Sequence, residues 1–259
     1  MSSPGRRDLA RGLALLLLSA LSLQLYFVLR IAVMVAVDPS STTFQRSEAW
    51  RLALEPKPLA WQQRWVDYSA ISVSLKRAVI ASEDASFTEH SGVEWDALEK
   101  AWGRNQRAEL AVEQSKERAT RERPTQGAAT NGPVRAARIV GGSTISQQLA
   151  KNLFLGGERS LARKGQELML TWTMELVLGK RRIFEIYLNS VEWGEGVFGA
   201  EAAARHYFRV GAGALSVRQA ALLAVMLPAP KRFERRPGSP YVTGRAATVA
   251  ARMAGVDFP

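Results

Sequence analysis

Two groups of side chains in this sequence have the types and spacing to do chemistry. The first lies in the run ASEDASFTEHSG, where Glu83 and Asp84 are adjacent and Phe87 and His90 follow. A carboxylate beside an aromatic ring and an imidazole can have its pKa and orientation tuned for proton transfer. Alone, the pair also fits a solvated, acidic helix end. The second group begins at Thr144. Thr144, Gln147, Gln148 and Asn152 offer neutral hydrogen bonds, and Lys151, Arg159, Arg163 and Lys164 offer cationic donors suited to phosphate oxygens. Glu167 follows Arg163 by four residues and Lys164 by three, so on a helix it shares their face. By itself that spacing fits an intrahelical ion pair on a surface.

Helices have to hold these groups in place. Ile71, Leu75 and Val79 recur every four residues and predict a helix leading into Glu83. Ser143 can cap a helix with Ile145, Leu149 and Asn152 on one side and Thr144, Gln148 and Lys151 on another. Ser160 opens the next, through Leu161, Leu168 and Leu176 to a stop at Gly179. Another carries Ile183, Ile186 and Tyr187 and ends near Asn189. Gly194, Gly196 and Gly199 predict a turn-rich link before AEAAARHYF, and RQAALLAVMLPAP predicts a buried helix broken at Pro228. No strand set of comparable strength stands out. The fold class expected is therefore mainly α. Residues 104–138 differ, being rich in Arg, Glu, Ala, Thr and Gly with almost no large apolar side chains. A mobile low-complexity insertion is expected there, solvated or in contact with anionic lipid.

The chain has 259 residues and a formal net charge of +11. Such a surplus favours polyanions, whether nucleic acid, anionic lipid or phosphorylated substrates. Cysteine is absent, which excludes disulfides and thiolate metal sites, and two histidines are too few for a multi-histidine metal site. The N-terminal region narrows the choice. Gly12 to Leu29 carries no charge, and IAVMVAV continues to Val37 after Arg30. At ~1.5 Å per residue the uncharged part alone spans roughly 27 Å, close to a bilayer's hydrocarbon thickness. Arg30, with Tyr26 beside it, can snorkel to the interface. Arg6, Arg7 and Arg11 precede the run and orient the N-terminus to the cytoplasm. A cleaved signal peptide is the other reading, against which the run is long and lacks a persuasive cleavage site. The organisation expected is a cytoplasmic tail at 1–11, a transmembrane helix at 12–37, a juxtamembrane connector at 38–68 and a catalytic domain at 69–259. Work at an outer membrane face removes nucleic acid as the natural polyanion. Trp50, Trp61 and Trp65 fit either an interfacial belt or a core.

Taken in order, these segments resemble the signatures of the family 51 glycosyltransferases, the peptidoglycan glycosyltransferases. The run from Glu83 to Gly92 resembles the first, GSTISQQLAKNL from Gly142 the second, and RKGQE from Arg163 the third. KRRIFEIYLN from Lys180 resembles the fourth, with Phe184 where leucine is common, and ALLAVMLPAP the fifth, running into Arg232-Phe233. Five motifs in register, covering roughly Ser69 to Phe233, are far more specific than one. The 104–138 stretch is longer than the family's usual link between the first two. No S-x-x-K or K-T-G of a penicillin-binding transpeptidase is present, so the resemblance is to the monofunctional members.

The resemblance implies a lysozyme-like glycosyltransferase domain behind one membrane helix, polymerising lipid II into glycan strands with release of undecaprenyl pyrophosphate and inversion at the anomeric carbon. It implies Glu83 as the base and Glu167 as the second acidic position, orienting cations or assisting the leaving group. Lys151, Arg159, Arg163 and Lys164 then hold pyrophosphate. Thr144, Gln147, Gln148 and Asn152 bind substrate, and Asp84, Phe87, His90 and Asn189 support the cleft. No cofactor is required, although a Mg or Mn ion assisting pyrophosphate is compatible with it, and no protein metal site is expected. Expected partners are lipid II, the lipid-linked glycan strand and the membrane, with division or elongation proteins as candidates; nucleic acid is not. The implied place is the bacterial inner membrane, with the catalytic domain in the periplasm. A lytic transglycosylase and a non-enzymatic scaffold of the wall machinery are the alternatives. The basic cluster argues against the first and the intact Glu83, Lys151, Arg163 and Glu167 set against the second.

Overall fold

The structure is a computed structural model that describes residues 4–58, 60–95, 99, 103, 107, 142–158 and 160–259. It divides into two compact units, Met1–Gly92 with Ile145–Pro259, and Val93–Thr144. In the second unit the chain is helical at Trp95, Glu99, Gly103 and Arg107, and Arg107 Nε donates to the Gly103 carbonyl one turn back at 3.0 Å. The insertion expected at 104–138 lies, except for Arg107, outside the described residues.

The first unit opens with α1 (Pro4–Val33), whose stretch Arg7–Val33 is long and apolar enough to cross a membrane. Its leucines are exposed along most of the length. The helix stops at Val33, short of the apolar run's end at Val37. Residues 34–37 form turns and Asp38 precedes a proline, which disfavours helix. Its last turns are not free, because Ile31 and Met34 are buried and Phe27 meets the Phe154 ring edge-on at 5.5 Å. Arg30 reaches Tyr26 Oη at 3.4 Å and lies over the Phe154 ring at 5.3 Å. Arg182 grips the exit, donating from Nε to the Met34 carbonyl at 2.8 Å and pairing through Nη2 with Asp38 at 2.7 Å.

The 38–68 segment, expected as a connector, contributes elements to the fold. Helix α2 (Thr43–Ala53) starts with a capping box in which Thr42 and Gln45 satisfy each other's backbone N–H groups. Gln45 also donates to the Ser190 carbonyl, and Thr43 Oγ1 to that of Leu153 at 2.8 Å. Strand β1 (Gln62–Gln63) then pairs in parallel with β3 (Val197–Phe198), which pairs antiparallel with β2 (Glu192–Gly194). The turn-rich link expected near Gly194 and Gly196 is thus a hairpin, with strands too short to show alternation. Trp61 packs on Phe198 at 4.5 Å, Trp65 lies beneath Arg182, and Trp50 is exposed.

The remaining elements are helical. They are α3 (Val73–Glu83), α4 (Ile145–Phe154), α5 (Leu161–Ser190), α6 (Ala200–Phe208), α7 (Val217–Met226), α8 (Pro230–Phe233) and α9 (Pro240–Arg252). Helix α7 is largely apolar after Arg218 and Gln219 and packs against both α3 and α9, with Ala220, Ala221, Leu223 and Ala224 buried. Helix α4 packs on α5, and α5 also carries α1. Gly179 breaks α5 with φ 70° and ψ 165°, a backbone that glycine adopts without a Cβ penalty. That break is the stop expected there. The first half, opened by the Ser160 cap, carries Arg163 to Glu175, and the second carries the buried Ile183, Phe184, Ile186 and Tyr187.

Candidate active site

Glu83 is the last residue of α3, and the helix gives way at Asp84 because Asp84 takes a non-helical backbone. Asp84 is buried and spends both carboxylate oxygens on structure. Oδ1 lies 2.9 Å from His90 Nε2, and Oδ2 accepts the Ile145 N–H at 2.9 Å. It therefore ties the start of α4, where an anion is favoured, to the end of α3. His90 Nδ1 accepts the Gly92 N–H at 3.1 Å, so a neutral ring carries its proton on Nε2 and donates to Asp84. Gly92 has φ +88°, and a Cβ there would lie 2.7 Å from Thr171 Cγ2. Phe87 is fully buried against Phe184 at 5.5 Å, under the ammonium of Lys180.

Helix α4 supplies the neighbour of Glu83. Gln148 Nε2 donates to Glu83 Oε2 at 3.2 Å, and Gln148 Oε1 accepts from Tyr187 Oη at 3.0 Å. The phenol can only donate to the amide oxygen, which fixes the amide so that its N–H group faces the carboxylate. Burial pushes the Tyr187 phenol well above its ordinary value, and Glu83 and Asp84 push the same way, so it stays protonated. Burial likewise raises the Glu83 pKa. Hydrogen bonds from Gln148 and Ser82 offset part of this, Asp84 adds to it, and Arg245 opposes it. Glu83 still keeps a partly exposed face. The result is a carboxylate that is held in place, accessible, and more basic than an ordinary glutamate.

Lys151 follows Gln148 by three residues on the same helix face, and it belongs to the cation group of α5. Its ammonium is held below the usual lysine range by desolvation, which Glu167 opposes and Arg163 and Lys164 reinforce. Glu167 is buried and paired with both Arg163, at 3.0 Å, and Lys164. Arg163 Nε is buried without a hydrogen-bond partner. One face of α4 thus joins the Glu83 carboxylate to a cationic cluster in which a single buried acid offsets three positive charges.

The other expected positions fall as follows. Gln147 is buried and Asn152 half-buried on α4, Thr144 ends the second unit just before α4, and Arg159 lies outside the described residues. Asn189 is fully buried and clasps Val66 on both sides. Its Oδ1 accepts the Val66 N–H and its Nδ2 donates to the Val66 carbonyl, each at 3.0 Å. Sequence reasoning gave no role to Tyr187, Glu175 or Gln24. Tyr187 had a signal, because a phenol on an apolar helix face needs a polar partner. Glu175 accepts from Ser146 and pairs with Lys180 at 2.8 Å, fastening α4 to both halves of α5. Gln24 and Gln166 exchange hydrogen bonds across α1 and α5. Neither Glu175 nor Gln24 had a signal, since each partner is distant in sequence.

A family model described as Transglycosylase matches residues 55–115 and 122–254. The biosynthetic peptidoglycan transglycosylase of Burkholderia thailandensis is 48% identical over 239 residues, 92% of this chain and 83% of that protein. Its namesake in Burkholderia pseudomallei matches to the same extent. That of Paraburkholderia xenovorans is 46% identical over 246 residues, 95% of this chain and 91% of its own.

Proposed function

The chain belongs to the transglycosylase family and polymerises peptidoglycan glycan strands, and we propose that Glu83 is the base of that reaction and the Lys151, Arg163 and Lys164 cluster its leaving-group site. Glu83 takes the proton of the GlcNAc 4-hydroxyl as that oxygen attacks the MurNAc anomeric carbon of the lipid-linked strand. The new glycosidic bond forms as the bond to the pyrophosphate oxygen breaks, and the anomeric centre inverts. The proton ends on Glu83 and the electron pair on undecaprenyl pyrophosphate.

The observation that carries this reading is the Tyr187–Gln148–Glu83 relay of hydrogen bonds beside a cation cluster that Glu167 only partly neutralises. A general base must be aimed and must be basic enough to take a proton; Gln148 aims Glu83, and burial raises its pKa above the ordinary carboxylate range. Fixed cations in a poorly hydrated site stabilise charge as it develops on the leaving group. Glu167 holds Arg163 and Lys164 in place for an incoming oxygen. Arg159 is assigned to the same group by sequence alone. Asp84, His90 and Asn189 brace the walls without moving a proton.

A Mg or Mn ion would find little here beyond the pyrophosphate oxygens. Among the described residues no three His, Asp or Glu side chains gather around one point, and Glu167 is already doubly paired. We read α1 as a single membrane anchor with the N-terminus cytoplasmic and the domain in the periplasm, on the strength of the apolar helix and the arginines before it.

The test is polymerisation of fluorescent lipid II by the detergent-solubilised protein, with Glu83→Gln alongside. Polymer from the wild type and none from the variant, which still binds precursor, is the expected result. Near-normal polymer from the variant would remove Glu83 as the base.

A further inference from the structure

A basic pocket beside α8 has no part in the reaction as described above. Arg232, Phe233, Arg235, Arg236, Ser239 and Tyr241 line a cavity of about 320 Å³. Phe233 and Tyr241 form one wall, with rings stacked 5.8 Å apart and 15° from parallel. The Arg232 guanidinium lies 5.9 Å from the Phe233 ring centre. All three arginines are exposed, and among the described residues none is paired with a carboxylate. The acid between them, Glu234, turns elsewhere, its Oε2 accepting the Glu195 N–H at 2.8 Å. The arginines that brace the fold behave differently, for Arg51, Arg182 and Arg205 all have carboxylate partners. Three unneutralised guanidinium groups within five residues repel one another and create a field for an external anion. A plain solvated surface would account for the charge, but not for a cavity with stacked rings.

The position of the pocket narrows the choice of anion. Ser82, the residue before Glu83, donates to the Ala224 carbonyl at 3.4 Å, so the end of α7 abuts the end of α3. From there the chain passes directly into α8 and the arginines. Helix α9 packs on both α3 and α7. Tyr241 of the pocket and Arg245 are one turn apart on the same face of α9, and Arg245 is close enough to Glu83 to lower its pKa. The pocket is therefore carried by the α7–α9 segment, which packs on α3, whereas the cation cluster is carried by α4 and α5. The substrate served by the base is the acceptor, whose hydroxyl it deprotonates.

We propose that Arg232, Arg235 and Arg236 form a subsite for an oxyanion of the acceptor, either a stem-peptide carboxylate or a phosphate, with Phe233 and Tyr241 as its wall. Guanidinium forks match both groups in a bidentate manner. The proposal rests on Glu83 being the base.

The experiment uses the full chain in a neutral detergent without anionic lipid. It supplies a short lipid-linked glycan as donor at saturation and varies lipid II as acceptor. Arg235→Ala/Arg236→Ala is expected to raise the acceptor KM about tenfold with kcat within about twofold, as loss of binding shared by ground and transition states requires. Arg235→Lys/Arg236→Lys, which keeps the charge, is expected to recover part of that loss, and melting curves of both variants establish that they fold. Lipid II with amidated stem carboxylates separates the two sources. If its KM matches that of the alanine variant and is insensitive to the substitution, the anion is the carboxylate; if the tenfold effect persists, it is the phosphate. An unchanged acceptor KM in both folded variants overturns the subsite. So does a defect seen only as weaker binding to phosphatidylglycerol vesicles, which would make the patch a membrane contact. Failure of the base assignment shows separately, as polymerisation by Glu83→Gln.

Discussion

Gln24, within the apolar α1 helix, holds Gln166, the residue before Glu167, through two amide hydrogen bonds of 2.7 and 3.2 Å. Each amide satisfies the other across the two helices. Replacing one leaves the other unpaired, whereas replacing both leaves an apolar contact. Gln24→Leu and Gln166→Leu are each expected to cost about 0.5–1.5 kcal/mol, and the double variant clearly less than their sum. Thermal melts in lipid nanodiscs measure this. Additive losses would mean that the pair is not coupled.

As the proposed base Glu83 must be ionised, and burial raises its pKa, so the rate is expected to fall as pH drops through a value above the ordinary ~4.3 of glutamate. Gln148 stabilises the ionised form. Gln148→Leu should therefore move that acid limb to still higher pH, apart from any loss of rate. A profile of kcat/KM against pH reads both shifts, and a limb at or below ~4.3 would contradict the assignment.

Tyr187→Phe removes only the hydroxyl that orients Gln148. With that amide free to turn, kcat is expected to drop about tenfold, about 1.4 kcal/mol of barrier, while KM changes little. An equal loss in the Gln148→Leu background would show that the phenol acts by another route.

Lys151 and Arg163 should differ in what they sacrifice. Among the described residues Lys151 has no carboxylate within ion-pair distance, whereas Arg163 is bound to the buried Glu167. Lys151→Ala is expected to melt like the wild type yet lose about 100-fold in kcat/KM, an effect of the kind seen when one electrostatic donor is removed. Arg163→Ala should lose both activity and stability. Parallel melting and kinetic measurements separate the two cases.

Glu192 lies away from the Glu83 site and makes a prediction about stability. Burial raises its pKa to about 7, Oε1 lacks a hydrogen-bond partner, and Lys231 stands 3.6 Å away. The raised folded value means that stability is fully present below the unfolded pKa near 4.5 and is lost as pH rises through about 7. Glu192→Gln should escape that loss. Its melting temperature relative to the wild type should rise between pH 5 and pH 8, by roughly 2–4 °C for each kcal/mol recovered. A difference that is flat with pH would deny the linkage.

The helices that carry chemistry were legible because each has a local cause. Four-residue apolar spacing marked α3, Ser160 marked the start of α5, and Gly179 marked its break. The acidic and basic candidate residues were legible by type and order. What the sequence hid was pairing over distance. Gln148 reads as a substrate ligand from its neighbours, yet in the fold it spans from Glu83 to Tyr187, 65 and 39 residues away. Asp84 meets the N–H of Ile145 at the start of α4, and a cap delivered from another helix leaves no local spacing to read. The 38–68 segment reads as a connector in sequence because its anchors are polar caps and two-residue strands rather than an apolar stripe.

The Arg182 clamp on Met34 and Asp38 has a consequence for how reactants meet. With α1 in a bilayer, a domain fastened at the exit of its own anchor cannot swing away on a leash. Both substrates carry lipid tails and diffuse in that same plane. Encounter then becomes a search in two dimensions by partners of fixed height, and the reaction is confined to a thin layer above the surface. A flexible tether of even ten glycines after Val33 would add a third dimension and dilute every collision.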